Sequence, residues 1–535
     1  MTRSLQNIAL VVTSGTLVSK IGGFARQLVI AGTFGIGAAY DAYSYAYVLP
    51  GFFLILLGGI NGPFHNAIVT VLSRKTKKEG SYILSAIHTL ISTGLILITA
   101  ILVIAADPLI KILGPGLNTD IHKIAVFQLQ IMAPIALLAG LIGIGFGALN
   151  ANNKFFLPSI SPLISSLTLM TFTGIFWLNK GAIYESQQLA LIGGLVLALG
   201  TLIGALIQWL VQLPTLFKQS LFRVKLIWDW RHPGVKEVLN IIGPATLSSG
   251  MLTINVFTDL FFASGIVGAA AGLSYANFLI QAPLGLVSNA LIIPLLPTFA
   301  KLTNSNEQDL LIARIRQGLM LSAASMIALG AIFITLGTPI VALFYARGAF
   351  ESNAINLVAA LLIAYGIGMP AYLCRDLLVR VFYALGDGQT PFYLSSIGII
   401  LNILFDWVLV GGPTPWGDQM PFNFGAPGLV LATAAINFLT CTALLFKLNS
   451  CIGRLPLKEW SLDGIKLLIA GFTSGLVAWF MKTAVTWPEN GIGLLSQVIL
   501  SGATSLLVFG LIGSSMKIKE VKELFILLTK GIIRL

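Results

Sequence analysis

Apolar residues in this chain form continuous runs of roughly 20 residues, which predicts membrane-spanning helices rather than the alternating strands of a β-barrel. Short polar connections separate about fourteen such runs. Their approximate limits are 9–32, 42–70, 81–106, 121–149, 157–178, 189–216, 237–263, 269–299, 315–340, 354–385, 390–411, 425–447, 462–484 and 490–513. The pattern therefore predicts an all-α integral membrane protein with about 14 transmembrane helices.

The composition agrees with this fold class. Of 535 residues, 56% are hydrophobic and 10% are charged, and the mean hydropathy is +0.91. A soluble protein could not bury so much apolar surface. The three cysteines have no paired spacing, so they support neither a disulfide framework nor a metal cluster. The chain lacks a P-loop, an H-E-x-x-H motif and a nucleophile elbow, and we therefore expect no enzyme.

Basic residues are concentrated in alternate connections. The net charge is +12, and the positive-inside rule explains this excess better than nucleic-acid binding does. Basic clusters follow the second, sixth, eighth and twelfth runs. They contain Arg74, Lys75, Lys77, Lys78, Lys218, Arg223, Lys225, Arg231, Lys236, Lys301, Arg314, Arg316, Arg454 and Lys458. The opposite connections hold little beyond Lys111, Lys180 and Arg347. We therefore predict that both termini face the cytoplasm.

The last twenty residues combine an apolar stripe with interspersed lysines. Ile518, Val521, Phe525, Leu528 and Ile532 recur at helical spacing. This arrangement predicts an amphipathic helix that lies in the cytoplasmic membrane interface.

A weak internal duplication divides the chain. Ser44–Ala46 recurs as Ser274–Ala276, and Ala148-Leu149 recurs as Ala384-Leu385, at offsets of 230 and 236 residues. Each Ala-Leu pair precedes a polar turn and a proline. The repeat predicts two pseudo-symmetric six-helix lobes at 1–217 and 218–450, followed by two C-terminal helices and the amphipathic tail in 451–535. Parallel repeats of this kind are a transporter architecture, with the binding site between the halves.

Charged residues in the first two runs are the most informative feature. Lys20 and Arg26 lie inside an apolar stretch long enough to cross a bilayer, and Asp41 follows it. An intramembrane cation usually faces a cavity or a partner, so we expect Lys20 and Arg26 to receive an anionic cargo. Snorkelling to the surface is the alternative. Asp41 is either a helix N-cap or an acidic partner for these cations. Pro50 is expected to break the second run in mid-membrane.

Hard oxygen donors form a second group at membrane depth. They are Asp259, Asn402, Asp406 and Thr433. If they converge, a small cation such as Na⁺ or a proton would suit them, and hydrogen bonding between helices is the alternative.

The tenth run carries a third group of charged residues. Asp376 and Arg380 are spaced for an ion pair along one helix, with Arg375 beside them, and lining of a cavity is the alternative. In the second run, we expect His65 to make a helix contact rather than to carry protons.

Several segments resemble the MurJ/MviN family of lipid II flippases, which belongs to the same superfamily as the MATE multidrug exporters. The most specific are 20–50, with Lys20-Ile21-Gly22-Gly23-Phe24-Ala25-Arg26, Phe34-Gly35 and Asp41-Ala42, then 274–297, with Tyr275-Ala276 and Leu295-Leu296-Pro297, and 380–391, with Arg380-x-Phe382-Tyr383-Ala384-Leu385-Gly386-Asp387 and Thr390-Pro391. The resemblance covers nearly the whole chain.

The resemblance implies a central cationic cavity between two six-helix lobes and a groove for the lipid tail on the last two helices. It implies roles in substrate binding for Lys20, Arg26 and Asp41, and we add Arg375 and Arg380 as compensating cations. It also implies a sodium site. The residues that match that site are Asp259, Asn402, Asp406 and Thr433. Two positions depart from the family pattern, because Leu54 and Phe278 stand where the family usually has arginine.

The resulting expectation is a flippase that moves lipid II, the lipid-linked peptidoglycan precursor, across a bacterial cytoplasmic membrane by alternating access. We expect a monomer without a cofactor, with Na⁺ as a candidate coupling ion, and contacts with membrane lipids and cell-wall synthesis enzymes. The alternatives are a MATE-like exporter of organic cations, a flippase for another lipid-linked oligosaccharide and a non-transporting membrane scaffold. A scaffold would have no use for buried charges.

Overall fold

The computed structural model describes residues 5–59, 62–180, 187–218, 226–292, 295, 298–299, 302, 307–411, 422–453, 455–488 and 490–522. Every regular element in those ranges is helical. The chain packs as two compact units, one formed by Met1–Ala271 with Arg347–Glu351 and the other by Gly272–Ala346 with Ser352–Leu535. The lobe boundaries drawn from the internal duplication remain predictions.

The first unit is a helical assembly in which one long helix is buried along most of its length. Its helices are α1 (Leu5–Phe34), α2 (Ala38–Leu56), α3 (Pro63–Leu72), α4 (Lys77–Ile104), α5 (Ala106–Leu113), α6 (Thr119–Met132), α7 (Ile135–Ala151), α8 (Phe156–Lys180), α9 (Gln187–Leu210), α10 (Leu213–Lys218) and α11 (Pro233–Ala263). Helix α7 is the buried one.

The second unit contains most of α12 and the helices that follow it. These are α12 (Ala269–Val287) with a π-helical turn at Ser288–Ile292, α13 (Gln308–Tyr345), α14 (Ser352–Ala384), α15 (Gln389–Val410), α16 (Ala426–Ile452), α17 (Leu457–Ala484) and α18 (Gly491–Ser515). Helix α13 packs against α14, α17 and α18.

Eleven helices in the described ranges are long and apolar enough to cross a membrane, which confirms the all-α membrane class. They match the predicted spans from 81–106 to 189–216 and from 269–299 to 490–513. The count of fourteen is not confirmed, because 9–32, 42–70 and 237–263 are not among the eleven. Helices α1 and α11 occupy two of these ranges, and the third is divided between α2 and α3.

The second predicted span is interrupted at a different place from the one expected. Helix α2 continues through Pro50 to Leu56, and α3 begins at Pro63. The prediction that Pro50 breaks the span was therefore wrong. A proline removes one hydrogen bond within a helix without necessarily ending it. Helix α2 ends instead just before Gly58 and Gly59, where the chain turns toward α3.

Close packing on α7 explains why the turn lies there. A Cβ atom on Gly143 would come 1.8 Å from the Leu57 carbonyl oxygen, and one on Gly147 would come 2.7 Å from the Ile68 side chain. Only a glycine permits the first approach. The G-x-x-x-G spacing of Gly143 and Gly147 thus permits close packing of α7 against its neighbours.

The same hydrogen-bonded turn ends α7 and α14. After α14, Gly386 adopts a φ of 80° and the Asp387 amide donates to the Phe382 carbonyl at 3.0 Å. After α7, Asn153 adopts a φ of 58° and the Lys154 amide makes the equivalent bond. These are Schellman caps. Asn153 and Gly386 are 233 positions apart, a separation between the offsets of 230 and 236 in the sequence repeat.

Connections that the sequence assigns to the outer side lie together in the first unit. The Ala349 amide donates to the Gly32 carbonyl at 2.8 Å, near the end of α1. The Gly116 amide, after α5, donates to the Ser264 hydroxyl at 2.9 Å, after α11. This grouping agrees with the predicted alternation of the connections.

The segment after α18 begins by packing against the protein. Ile518 and Val521 are buried, and the Glu520 carboxylate accepts a hydrogen bond from Arg316 of α13. Arg316 also donates to Asp463 of α17 at 2.6 Å. The remaining apolar positions of the predicted amphipathic tail lie outside the described residues. They are Phe525, Leu528 and Ile532.

A lysine compensates for a proline in the longest helix. Pro339 lies inside α13 and cannot donate the hydrogen bond that the carbonyl of Thr335, four residues earlier, would normally accept. The Lys482 ammonium of α17 donates to this Thr335 carbonyl at 3.2 Å. The bond satisfies the backbone group and joins the two helices.

Replacing Lys482 with methionine should therefore lower stability. We expect a loss of about 1.5–3 kcal/mol, the usual range for a hydrogen bond from a charged donor, because the side-chain volume is kept and only the donor is removed. Thermal unfolding of the purified chain in detergent measures the loss. Lys458→Met, at an exposed lysine of α17, is the matched control, and an equal loss in both variants would contradict the assignment.

Candidate functional site

Arg26 of α1 has the surroundings expected of a functional cation. Its side chain is half-buried, and its Nε atom is buried without a hydrogen-bond partner among the described residues. Its charge lies within electrostatic range of the Tyr43 and Tyr47 hydroxyls on α2. A half-buried arginine that forms no salt bridge among the described residues is suited to an anionic ligand.

A row of tyrosines on α2 forms the wall beside Arg26. Tyr40, Tyr43 and Tyr47 stack with ring centroids 5.8 and 5.3 Å apart. Gln27 donates to the Tyr40 hydroxyl at 2.8 Å, and the Tyr43 hydroxyl lies 2.9 Å from that of Thr201. Sequence reasoning missed this row, although spacings of three and four residues put the tyrosines on one helix face.

Lys20 has different surroundings from Arg26. It is exposed, whereas the other face of α1 packs against α8. There, a Cβ atom on Gly15 would come 2.8 Å from Ser159, and one on Gly22 would come 2.2 Å from Leu163. Lys20 therefore lies away from the α1–α8 contact. Its role in binding remains a prediction.

Asp41 binds backbone amides at the start of α12. Its side chain is 2% exposed and accepts a hydrogen bond from the Ala271 amide at 3.0 Å. The amides of Gly268 and Ala270 also donate to it. This carboxylate therefore caps α12 and not its own helix. The alternative that Asp41 is the N-cap of the second run was wrong, because the N-cap of α2 is Gly37. No salt bridge to Asp41 occurs within the described ranges.

The Asp41 carboxylate also stabilises the first turn of its own helix, α2. It is the acidic residue of the first turn of α2, whose N-cap is Gly37. A negative charge there interacts favourably with the helix dipole. One carboxylate thus stabilises the N-termini of α2 and α12.

Three of the four predicted sodium ligands come together in the second unit. Asn402 and Asp406 of α15 are fully buried, and the Asn402 amide donates to Asp406 at 2.8 Å. The Thr433 hydroxyl of α16 lies 3.4 Å from the Asn402 side-chain oxygen. The group presents carboxylate, amide and hydroxyl oxygens, a donor set that suits Na⁺. Asp259 belongs to the first unit, and its part in a shared site remains a prediction.

The cations of α14 are held by polar partners. Arg375 donates to Asn437 of α16 at 2.8 Å, and its Nε atom is buried without a partner among the described residues. Arg380 pairs with Asp376 at 3.1 Å, which confirms the expected ion pair. His65 contacts Asn150 of α7 at 2.7 Å, which confirms a helix contact.

The two positions that depart from the family pattern are half-buried. Leu54 packs against an apolar core that includes Leu57, Ile83 and Ile87, where an unpaired cation would be unfavourable. Phe278 lies on α12.

Comparison with known proteins identifies relatives over nearly the whole chain. A family model described as "Lipid II flippase MurJ" matches residues 30–492. A "Probable lipid II flippase MurJ" from Synechocystis sp. is 45% identical over 524 residues, covering 97% of this chain and 96% of that protein. A "Lipid II flippase MurJ" from Burkholderia cenocepacia is 28% identical over 417 residues, covering 75% and 78%.

Solved structures support the fold. A "Lipid II flippase MurJ, inward closed conformation" superposes with a TM-score of 0.76 at 24% identity, covering 96% of this chain and 99% of that one. An inward-facing multidrug resistance MATE family transporter of the MOP superfamily gives a TM-score of 0.62 at 14% identity, covering 83% and 98%.

Removing the Asp41 carboxylate should destabilise the start of α12. We expect Asp41→Ala to lower the free energy of unfolding by about 1–3 kcal/mol, because it leaves buried amides without an acceptor. Asp41→Asn should lose less, because the amide oxygen still accepts. Thermal unfolding measures both, with Asp120→Asn at an exposed first turn as the control. Equal stability of Asp41→Ala and the parent would refute the cap.

Proposed function

This chain belongs to the lipid II flippase MurJ family, and we propose that it moves lipid II from the cytoplasmic to the outer leaflet by alternating access. It is a transporter rather than an enzyme. The family match over residues 30–492 and the relative at 45% identity support lipid II as the substrate. Flipping of lipid II supplies the precursor for peptidoglycan synthesis outside the membrane.

One observation about the site carries this proposal. Arg26 is half-buried beside Tyr43 and Tyr47, and within the described ranges no acceptor binds its Nε atom. We propose that Arg26 receives the diphosphate of lipid II and that Lys20 adds a second positive charge. A lysine acts as a point charge, whereas arginine can bind two phosphate oxygens at once. Arg375 and Arg380 are proposed as further cations.

We propose that the Asp41 cap belongs to one state of the transport cycle. Its bonds join the start of α2 to residues 268–271, where outer connections of the first unit are grouped. A movement that separated α2 from residues 268–271 would leave a buried carboxylate without donors. The contact would therefore favour the closed state, and binding energy from the cargo would offset its loss.

Sodium is proposed as the coupling ion. The buried oxygens of Asn402, Asp406 and Thr433 fit it, and Asp259 is proposed as the fourth ligand. A bound cation would neutralise the Asp406 carboxylate at membrane depth. The amide of Asn402 would keep that carboxylate in place.

We propose a bacterial cytoplasmic membrane with both termini inside, supported by the basic connections and by the grouping of the opposite ones. We propose a monomer that contacts membrane lipids and cell-wall synthesis enzymes.

The lipid II assignment is favoured over the alternatives. A MATE-like exporter of organic cations would need an acidic or aromatic site, and here Arg26 brings positive charge next to the tyrosines. A flippase for another lipid-linked oligosaccharide would share the diphosphate chemistry. The family match favours lipid II.

Complementation tests the flippase function. In a bacterium depleted of its own lipid II flippase, we expect the parent chain to restore growth and Arg26→Ala and Lys20→Ala to fail at matched expression. Lys20→Arg should restore growth, because it keeps the charge. Lys111→Ala, at an exposed lysine of α5, is the control. Growth with both alanine variants would contradict the cationic site, and no growth with a correctly inserted parent would contradict lipid II as the cargo.

Sodium binding can be tested on the purified chain by thermal unfolding, without a transport assay. We expect NaCl to raise the unfolding temperature of the purified chain relative to choline chloride. At about five times the Kd, the stabilisation should be about 1 kcal/mol. Asp406→Asn and Asp259→Asn should abolish the difference, whereas Asp309→Asn at an exposed position should keep it. A sodium effect that survives Asp406→Asn would exclude this site.

A further inference from the structure

A non-helical segment lies along α4 and exposes alternate residues. Residues 226–230, the aromatic strap, precede α11. The Ile227 amide donates to the Thr89 hydroxyl at 3.1 Å, and the Tyr82 hydroxyl donates to Asp229 at 2.9 Å. Ile227 and Asp229 therefore face α4, and the residues between and beside them face away.

The outward face of the strap is apolar and aromatic. Leu226 is 91% exposed, Trp228 is 64% exposed and Trp230 is 51% exposed. The Arg231 guanidinium lies 5.1 Å from the centre of the Trp230 ring. The positive charge of Arg231 thus lies at the end of the outward face of the strap.

Several bonds hold the strap in this position. Asp229 accepts from the amides of Arg231 and His232 at 3.1 and 3.0 Å, and His232 accepts from the Gly234 amide at 3.2 Å at the start of α11. The Tyr82 hydroxyl holds the pKa of Asp229 below its ordinary value, so the carboxylate stays an acceptor at neutral pH. The exposed side chains are therefore presented by a fixed backbone.

The length of α4 sets the level of the strap in the membrane. The helix has 28 residues and is about 42 Å long, whereas a hydrocarbon core is about 30 Å thick. With the apolar end at Ile104 set at the opposite edge of the core, about 12 Å of the helix extends beyond the core at its lysine-rich start. Tyr82 and Thr89 lie about 8 and 18 Å from that start, on either side of the boundary.

Two physical constraints agree with a position of the strap at the edge of the hydrocarbon core. Non-helical backbone exposed to lipid is not tolerated in the hydrocarbon core, because its polar groups would have no partners. A position entirely in water would expose one leucine and two tryptophans. The headgroup layer satisfies both the backbone and these side chains, and tryptophan is enriched there.

We propose that the aromatic strap is a membrane anchor whose outward face, Leu226, Trp228 and Trp230, inserts into the headgroup layer of an anionic leaflet, with Arg231 on the lipid phosphates. Charge complementarity supports an anionic lipid, because Lys78 in the first turn of α4 is exposed and forms no salt bridge among the described residues. Arg74 and Lys75 lie at the same end of α4, where they pair with Glu237 and Glu79. The anchor fixes the start of α11 relative to the bilayer. The inference does not depend on the cargo.

Depth-dependent quenching tests the anchor. The full chain is placed in nanodiscs of phosphatidylglycerol whose acyl chains carry bromine near the headgroup or near the chain end. The tryptophan fluorescence lost in the double variant Trp228→Phe/Trp230→Phe isolates the strap. We expect this difference signal to fall at least twofold with shallow bromine, and much less with deep bromine or aqueous acrylamide. Trp479→Phe, at an exposed tryptophan of α17, is the control for a residue outside the strap.

Strong quenching by acrylamide without quenching by bromine would overturn the anchor and place the strap in water or against a protein partner. Lipid charge is tested by repeating the measurement in phosphatidylcholine. We expect weaker shallow quenching there, and Arg231→Gln should remove the difference between the two lipids. Equal quenching in both lipids with Arg231 present would refute the anionic preference.

Discussion

A buried carboxylate must have donors, and in this protein the amides at the start of α12 supply them to Asp41. The bonds from Gly268, Ala270 and Ala271 satisfy a charge that would otherwise be costly to bury, and they place α2 beside residues far away in the sequence. The contacts of Ala349 with Gly32 and of Gly116 with Ser264 lie among the same outer connections. Contacts among these connections of the first unit thus include a buried charge that backbone amides hold.

Other charged and polar side chains in the described part of the chain have polar partners. Arg375 has Asn437, Asn402 has Asp406, and Lys482 has a backbone carbonyl. Arg26 differs because neither a salt bridge nor a side-chain hydrogen bond holds it among the described residues, and the hydroxyls of Tyr43 and Tyr47 within its electrostatic range are uncharged at neutral pH. In a low-dielectric setting, such a charge is favourable only when a counter-charge arrives. The contrast between compensated groups and Arg26 is the physical basis of the proposed substrate site.

Much of the fold could be predicted from the sequence, because long apolar runs have few alternatives to spanning helices. The packing role of Gly143 was predictable from its spacing to Gly147. The end of α2 was not, since it depends on the contact of Leu57 with α7 and not on Pro50. The partner of Asp41 was unpredictable for a similar reason, because backbone amides 230 residues away carry no side-chain signature. The tyrosine row beside Arg26 had a signal in its spacing that was missed.

The bond between Lys482 and the Thr335 carbonyl has a consequence for how this sequence can change. The lysine is needed only because Pro339 leaves that carbonyl without its usual donor. A residue with an amide at 339 would restore the helical bond and make the lysine dispensable, while loss of the lysine alone would leave the carbonyl unsatisfied. Substitutions at the two positions are therefore coupled in their effect on stability. Replacing Pro339 first leaves no carbonyl unsatisfied, whereas replacing Lys482 first does.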